Sequence, residues 1–441
     1  MPDLSLRRYR ALLVLVAILC LVRVFFFAHR YAGESLQTDF SAMYFAGASV
    51  RAGLNPYDNN AAHDLRYWDG AARYRHSRYL YPPIVAYALQ PLAMMPYPAA
   101  KTVWTFASLG VLAAAVVLVI KAAGLRLDAT RWLLAACVMS LLFPLLPLLE
   151  RGQIDALTLF CIAAGFHLIF ARRRDFLGGA AIAAAGFIKL QCFYLLPLLL
   201  IARRPRAAVG MMVGIVVFGL LQLLVCGPAL TRQYVFEELP RIARHGEVGT
   251  DAMRLDSPAI REVNATLPPG DAIAGGRWQY RYTLLPEYAA MASLVPYARG
   301  VINNVTRIRV SSTAVSIPLL LVALGTTWLI LRRAAADEPC ARLAFIATSL
   351  IIVLLTAPIT WTSNLVWLAP FVPLILFGAA SPRLRLLRVA AILGLVLLIL
   401  PDTLAPGLLV RSGRFGEVLG AQYVLAQLLM LPYTLATAAK S

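Results

Sequence analysis

Residues 7–28 read RRYRALLVLVAILCLVRVFFFA, a basic start followed by an apolar run that Arg23 alone interrupts with a charge. The run approaches the ~20 apolar residues that cross the ~30 Å hydrocarbon core of a bilayer. It exceeds the ~7–15 residues of a signal-peptide apolar region, and no small-x-small cleavage site follows it. This stretch therefore predicts a retained transmembrane helix with a cytoplasmic N-terminus.

The whole 441-residue chain has the composition of an integral membrane protein. It is 60% hydrophobic and 14% charged, with a mean hydropathy of +0.72. Apolar runs recur along its length without the alternation of a β-barrel, which predicts an all-α bundle of about 10–12 transmembrane helices. The six cysteines lie in or beside apolar runs and are interpreted as small core residues.

Short loops rich in Arg and Lys mark the cytoplasmic side of such a bundle. They comprise Lys121 to Arg131, Arg172 to Arg174, Arg203 to Arg206, Arg332 with Arg333, and Arg383 to Arg388. The apolar runs between them predict spans near residues 11–28, 99–120, 132–148, 154–171, 207–226, 312–331, 342–358, 364–380, 386–401 and 418–437. These loops also account for most of the net charge of +19, so nucleic acid is not expected as a partner.

Residues 177–201 do not fit a single crossing, because the basic clusters on both sides of them predict the cytoplasm. A hairpin of two short helices, broken around Gly186 to Gln191, restores the alternation and carries Lys189 into the membrane or to its far side. Irregular backbone at that depth is tolerated where protein buries it or where it lines a cavity, so the break indicates a site. The alternative is one tilted helix and an exception to the charge rule.

Three pieces of the chain are expected on the outer face: a first periplasmic loop at 29–98, the turn at 150–155, and a long loop at 227–310. Residues 63–81 interleave Arg with Tyr and Trp, which is typical of an interfacial amphipathic helix. Of the 22 carboxylates, all but Asp3, Asp128, Asp175, Asp337 and Glu338 fall on this face. The chemistry of the protein is therefore expected there.

Asp39 is the best-placed general base of the outer face. It follows the first span in TDFSAMYFAGASV, where partial burial beside Phe40 and Tyr44 would tune a carboxylate to accept a proton from a sugar or lipid hydroxyl. The same pattern describes a helix start with Thr38 or Asp39 as its cap. From residue chemistry alone the cap is the favoured interpretation.

Other polar residues of these loops are candidates with structural alternatives. Asp58 ends the turn GLNPYD and is either a cap or a site residue. The turn ERGQID brings Glu150, Arg151, Gln153 and Asp155 to one membrane boundary, as a helix-end ion pair or as part of a site. Lys189 lies in an apolar segment, where a lysine is costly and serves by default as the partner of an anion such as a phosphate. The alternative partner is a buried carboxylate.

A nucleotide-dependent reaction is not expected, because no P-loop, Rossmann glycine pattern or Asp-x-Asp pair is present. The motifs that remain are TDFSAMYFAGASVRAGLNPYD (38–58), LYPPIVAYALQPLAMMPYP (80–98), RGQIDALTLF (151–160), AGFIKLQCFYLLPLLLIARR (185–204) and APITWTSNLVWLAP (357–370). In this order they resemble the polytopic glycosyltransferases of the GT-C fold, and within it glycosyltransferase family 87, the polyprenyl-phosphate-mannose-dependent mannosyltransferases.

The resemblance implies a GT-C-like bundle that transfers a sugar from a polyprenyl-phosphate donor to a lipid-linked or cell-envelope glycan acceptor, with inversion. It places the general base on Asp39 and the donor phosphate on Lys189 and Arg151. The residues expected to line the substrate cavity are Tyr44, Tyr57, Asp58, Tyr81, Pro82, Glu150, Gln153, Trp361 and Asn364. The expected setting is the inner membrane of a bacterium, with a monomeric enzyme whose site faces the periplasm.

One departure concerns the late motif, which often carries a histidine near its tryptophan. Here the stretch is Trp361, Thr362, Ser363, Asn364, so any phosphate or metal that the histidine holds in relatives must be held otherwise. No metal site is indicated by the sequence, although a divalent metal remains an option. The alternative function is a transporter or flippase of lipid-linked sugars, and a third is a lipid-binding scaffold. The chain lacks the internal repeat of many transporters, which favours the enzyme.

Overall fold

The computed structural model describes residues 10–33, 38–57, 79–243, 292–306, 310–331, 338–378, 382–400 and 422–439. Helices dominate these ranges, and no strand is found within them. The α-helices are α1 (Arg10–Ala32), α2 (Thr38–Arg51), α3 (Pro83–Ala88), α4 (Tyr97–Ala123), α5 (Ala129–Leu141), α6 (Leu145–Arg151), α7 (Asp155–Phe166), α8 (Asp175–Ile188), α9 (Leu195–Ile201), α10 (Pro205–Gln233), α11 (Leu239–Ala243), α12 (Leu294–Thr306), α13 (Ser312–Leu331), α14 (Pro339–Thr356), α15 (Val372–Phe377), α16 (Arg385–Ile399) and α17 (Gln422–Ala438).

Tighter or wider helical turns extend several of these helices. Turns of 3₁₀ type cover Leu92–Met94, Leu190–Tyr194, Thr362–Phe371 and Pro382–Leu384, and π-type turns cover His167–Ala171 and Tyr234–Glu238.

The expected all-α polytopic membrane fold is confirmed. Within the described residues, five helices are long and apolar enough to cross a bilayer: α1, α4, α10, α13 and α14. The pair α5 and α6, bent by 58°, makes a sixth if it is one span. Other expected spans become helices of 10–17 residues, such as Asp155–Ala171 and Thr362–Phe377. The total of such spans, expected at about 10–12, is thus reached only if shorter helices also cross.

The bundle has a buried centre and a lipid-facing periphery. Helix α14 is the most enclosed of the long helices. Of its most apolar 18 residues 83% are buried, against 22% for the corresponding stretch of α1 and 28% for that of α10. A helix that is apolar all round and surrounded by protein is a core element, whereas the exposed apolar faces of α1 and α10 suit contact with acyl chains. Trp367 fills the core beside α14 and is fully buried.

The loops predicted to be cytoplasmic gather at one end of the bundle where the structure describes them, and Arg332 with Arg333 lies outside the described residues. The turn at Gly124 (φ 77°) lies beside Pro339 and Arg342 at the start of α14. The Arg131 guanidinium sits 5.9 Å from the ring centroid of Phe377. Lys121 and Arg172 are both close enough to interact electrostatically with His167, which places the loop at Arg172 to Arg174 at this end as well.

Helices α8 and α10 run parallel, so the chain between them reverses its direction. At their start, a Cβ on Gly179 would lie 1.9 Å from the Ala207 carbonyl oxygen, and Arg204 Nη1 is 3.7 Å from Asp175 Oδ2. Further along, the rings of Phe187 and Phe218 are 5.7 Å apart. Helix α8 ends at Ile188, Lys189 is extended (φ −137°, ψ 110°), and α9 returns towards the basic end. That Lys189 lies within a bilayer or beyond its far side stays a prediction.

The outer loops are described in part. Helix α2 occupies the segment after the first span, and α3 with the Leu92–Met94 turn forms the Pro-rich stretch before α4. The expected interfacial helix at 63–81 lies almost entirely outside the described residues, and Asp58 lies outside them as well. Of the long loop at 227–310, the structure describes residues 227–243 and the segment from 292 that contains α12.

Candidate active site

The site is built on the turn that joins α6 to α7. Helix α6 ends at Arg151, and Gly152 adopts the left-handed conformation (φ 63°, ψ 41°). The Gln153 N–H donates to the Leu148 carbonyl at 3.0 Å, which closes the helix end in the usual glycine-terminated manner. A Cβ on Gly152 would come within 2.6 Å of Lys101 Nζ, so glycine is required for both its backbone angles and its contacts.

Helix α4 contacts this turn through Lys101 and Trp104, which lie about one helical turn apart. Lys101 is fully buried, and its Nζ donates to the carbonyls of Leu149 (3.0 Å) and Glu150 (3.3 Å). Trp104 Nε1 donates to the Gly152 carbonyl at 2.8 Å. The last carbonyls of α6 form the negative end of its dipole, where a cation is stabilising. The direction of the turn is therefore set from α4.

Asp39 meets this turn from the first outer loop. Its carboxylate is 13% exposed and accepts from the Arg151 guanidinium, whose Nη2 lies 3.3 Å from Oδ1 and whose Nε contacts Oδ2. Gln153 Nε2 donates to Oδ2 at 2.6 Å. Helix α2 begins at Thr38, so Asp39 stands in its first turn and both carboxylate oxygens contact the α6–α7 turn. The structure thus brings Asp39 against two predicted site residues, Arg151 and Gln153, that lie more than 100 positions further along the chain.

Tyr81 joins this group from the LYPP motif. Its hydroxyl is 3.3 Å from Gln153 Oε1, and its carbonyl accepts from the Tyr57 hydroxyl at 2.8 Å. Burial raises the pKa of Tyr81 well above its ordinary value, and the nearby Asp39 and Asp155 carboxylates raise it further. The phenol therefore stays protonated at neutral pH and is available as a hydrogen-bond donor.

A second ion pair is formed by Asp155, four residues after Arg151. Asp155 is fully buried, and Lys189 Nζ is 2.9 Å from its Oδ1. Ser363 Oγ donates to Oδ2 at 3.2 Å, and Asn364 Nδ2 donates to Oδ1. The buried carboxylate that the sequence left open as a partner for Lys189 is Asp155. Its charge is balanced by the lysine and its oxygens are satisfied by the late motif.

Asp155 is the residue that the sequence interpretation did not assign to the site. The sequence groups it with the turn at 150–155, but it is not among the residues expected to bind the donor or line the cavity. A signal was present, because Asp155 is followed directly by the apolar run ALTLF and Lys189 lies in another apolar segment. Two lone charges of opposite sign in apolar surroundings each need a partner, and pairing them would have predicted this contact.

The remaining candidates support the site at a distance or at its edge. Trp361 donates its backbone N–H to Asn364 Oδ1 at 2.6 Å, which starts the Thr362–Phe371 turn and orients the Asn364 amide. Tyr44 donates to the Met95 carbonyl at 2.7 Å, and the Pro82 carbonyl accepts from Tyr79 at 2.8 Å. The Glu150 side chain is exposed, while its carbonyl is held by Lys101.

The arrangement combines two cation–carboxylate pairs, a protonated phenol and two amides around one turn. It lies at the end of the bundle opposite the basic loops, since Lys101 and Lys121 are ~30 Å apart along α4 at 1.5 Å per residue. In the part of the chain that the structure describes, no group of three or more His, Cys, Asp or Glu side chains is placed to hold a metal ion. The chemistry that these residues offer is proton abstraction by a carboxylate beside cations that can hold an anion.

Comparison with known proteins identifies the family. Among curated proteins none matches the chain. The family model described as Glycosyltransferase family 87 matches residues 79–358, which is more than half of the sequence. The matched region contains Tyr81, the whole α6–α7 turn and Lys189. Trp361 and Asn364 lie just after its end, and Asp39 lies well before its start. The chain belongs to glycosyltransferase family 87.

Proposed function

We propose that this membrane glycosyltransferase moves a sugar from a polyprenyl-phosphate donor to a lipid-linked or cell-envelope glycan acceptor, with inversion. The sugar class is mannose or another hexose or pentose. A donor anchored in the bilayer suits a bundle of apolar helices whose charged site lies at one end. The observation that carries the proposal is the convergence of Asp39, Arg151, Gln153 and Tyr81 on the α6–α7 turn.

In the proposed reaction Asp39 is the general base. Its carboxylate takes the proton of the acceptor hydroxyl, and the hydroxyl oxygen forms a bond with the anomeric carbon of the donor. The bond from that carbon to the phosphate oxygen breaks, and the electron pair leaves with the polyprenyl phosphate. The Arg151 and Gln153 contacts fix the carboxylate in place, so little reorganisation is needed before the proton moves.

Negative charge develops on the leaving phosphate, and cations near it would stabilise the transition state. Arg151 and Lys189 are the two candidates, and each contacts a carboxylate. Arg151 is 35% exposed and Lys189 is 12% exposed, so Arg151 is the more accessible of the two. We assign the first contact with the phosphate to Arg151, whose planar guanidinium suits bidentate binding, and a deeper contact to Lys189.

The proposed location of the site is the periplasmic face of a bacterial inner membrane, opposite the basic loops.

An Asp39→Asn variant tests the proposal. Transfer from a panel of polyprenyl-phosphate sugars to cell-envelope acceptors is measured with purified protein in lipid nanodiscs. Loss of a general base is expected to lower the transfer rate by ~10²–10⁴-fold. The asparagine keeps the size of the side chain and a carbonyl acceptor for Gln153, so folding is retained.

A matched control is Asp128→Asn. Asp128 caps α5 at the basic end, accepting from the Arg131 N–H at 2.8 Å, and asparagine caps a helix about as well as aspartate. This control is expected to keep full activity. Full activity in Asp39→Asn instead would remove Asp39 as the base.

A further inference from the structure

Two loops at the basic end have an unusual backbone. Arg173 (φ 57°) lies between α7 and α8, and Arg203 (φ 55°) lies between α9 and α10. They are the two non-glycine residues with positive φ in the part of the chain that the structure describes. In each loop the backbone N–H of the next residue donates to a carbonyl of the helix that ends there. Arg174 donates to the Leu168 carbonyl (2.8 Å), and Arg204 donates to the Leu199 carbonyl (2.9 Å).

Glycine is the usual residue at such a helix end, because a Cβ is unfavourable in the left-handed region. The fold holds an arginine there twice, in the sequences FARRRD and IARRPR. A positively charged cytoplasmic loop does not require arginine at the left-handed position, since Arg172, Arg174 and Arg206 already supply positive charge at positions with negative φ. Strained backbone conformations concentrate at functional sites, so the side chains of Arg173 and Arg203 are candidates for a binding role.

The two loops form one surface. Arg204 joins them, because its Nη1 is 3.7 Å from Asp175 Oδ2 and its guanidinium lies 5.3 Å from the Phe170 ring centroid. Asp175 is the single carboxylate between residues 171 and 206. The exposed cations around this joint are called here the arginine surface, which consists of Arg172, Arg173, Arg174, Arg203 and Arg206.

An apolar ridge begins directly beside the arginine surface. Phe176 (45% exposed) and Leu177 (51%) lie on the first turn of α8, and Val209 (46%) and Val213 (42%) lie on the first turns of α10. The two helices touch closely here, because a Cβ on Gly210 would be 2.0 Å from the Phe176 carbonyl oxygen. The surface thus offers positive charge at the end of the helices and exposed apolar side chains just below it.

We propose that this surface binds an anionic phospholipid, with the phosphate on Arg173 and Arg203 and the acyl chains along the α8–α10 ridge. Arginine forks suit phosphate oxygens, and basic groups between transmembrane helices at a membrane boundary attract anionic headgroups. The neighbouring apolar ridge favours a lipid over a free phosphate, which would leave it uncovered. The site lies at the opposite end of the bundle from Asp39 and is independent of the proposed reaction.

The test uses a double variant, Arg173→Gly/Arg203→Gly, in the full-length protein. Glycine relieves the left-handed backbone, so the variant should fold with an unchanged or higher melting temperature in lipid-free detergent. Binding of dioleoyl phosphatidylglycerol, dioleoyl phosphatidylcholine and glycerol 3-phosphate is measured by native mass spectrometry after delipidation. The control is Lys121→Gln/Arg126→Gln, which removes two exposed cations from another loop at the same end.

The wild-type protein should prefer phosphatidylglycerol over phosphatidylcholine and should not retain glycerol 3-phosphate. The glycine variant should lose at least ~10-fold in phosphatidylglycerol affinity, and the control much less. Equal losses of phosphatidylglycerol affinity in the two double variants would show that general surface charge explains the binding, and would overturn the site. Equal retention of the two lipids by the wild type would overturn the anionic preference, and retention of glycerol 3-phosphate would replace the lipid by a soluble phosphate.

Discussion

At the residue scale, the pair Asp155–Lys189 shows how a buried charge constrains the chain. Each charge stands in an apolar segment of sequence, and the two neutralise each other 2.9 Å apart with Ser363 and Asn364 completing the contacts. A pair of this kind contributes little net stability, but removing one partner leaves an uncompensated buried charge. Any test of Lys189 as a phosphate ligand must therefore keep Asp155 balanced.

We expect Lys189→Ala alone to destabilise the protein by about 3–5 kcal/mol, because the fully buried Asp155 loses its cation. The double variant Lys189→Met/Asp155→Asn removes both charges while keeping similar side-chain volumes, and it should recover most of the melting temperature. If Lys189 holds the donor phosphate, this double variant should still show a raised KM for the donor and an unchanged KM for the acceptor. A donor KM equal to that of the wild type in this double variant would exclude Lys189 from donor binding.

At the element scale, the short helix α6 and the glycine turn after it carry the site, and helix α4 aligns them. Lys101 and Trp104 donate to three backbone carbonyls near the helix end. The Lys101 Nζ also lies 5.5 Å from the ring centroid of Phe40, the neighbour of Asp39. One side chain of α4 therefore contacts a sequence neighbour of Asp39 and a sequence neighbour of Arg151. Lys101 is a positioning residue, since it acts on the proposed base through its neighbours.

We expect Lys101→Met to lower kcat by roughly 10-fold or more with a smaller change in KM, since a misplaced base slows the chemical step. Methionine keeps the volume but leaves the carbonyls of Leu149 and Glu150 without this donor, at a cost of about 1–3 kcal/mol in stability. The matched control is Lys121→Met, an exposed lysine on the same helix at the basic end. A Lys101→Met enzyme with reduced stability and full kcat would show that Lys101 serves the fold alone.

At the scale of the whole molecule, the basic loops and the candidate site occupy opposite ends of the bundle. Contacts of Gly124 with Arg342 and of Arg131 with Phe377 unite the basic loops, whereas Asp39, Tyr81 and the α6–α7 turn meet at the start of α4. Positive loops are retained on the cytoplasmic side during insertion. The site is therefore expected to face the periplasm.

Cysteine labelling in intact spheroplasts checks this orientation. In a background without the native cysteines, Met94→Cys lies at the site end, where Met94 is 67% exposed, and Arg126→Cys lies in an exposed basic loop. A membrane-impermeant maleimide should label Met94→Cys in sealed cells and Arg126→Cys only after permeabilisation. The reverse pattern would place the site in the cytoplasm and contradict the proposed location.

Much of the helical plan was readable in advance because each helix leaves a local signal. The run at 11–28 became α1, the run at 312–331 became α13 with the same bounds, and the break expected around Gly186 to Gln191 falls at Lys189. The extent of several helices was less readable. Leu142 to Pro144 divides α5 from α6 with a 58° bend, and this depends on packing that an apolar run does not encode.

The sequence by itself determined the membrane class, the grouping of the basic loops and most of the residues that meet at the candidate site, since hydropathy and charge act locally along the chain. The tertiary structure decided which charge pairs with which. Arg151 holds Asp39 and leaves Lys189 to Asp155, because Gly152 turns the chain so that residues 151 and 153 face the first outer loop and residue 155 faces the core. Such partners depend on contacts between distant segments, and only the packed bundle specifies them.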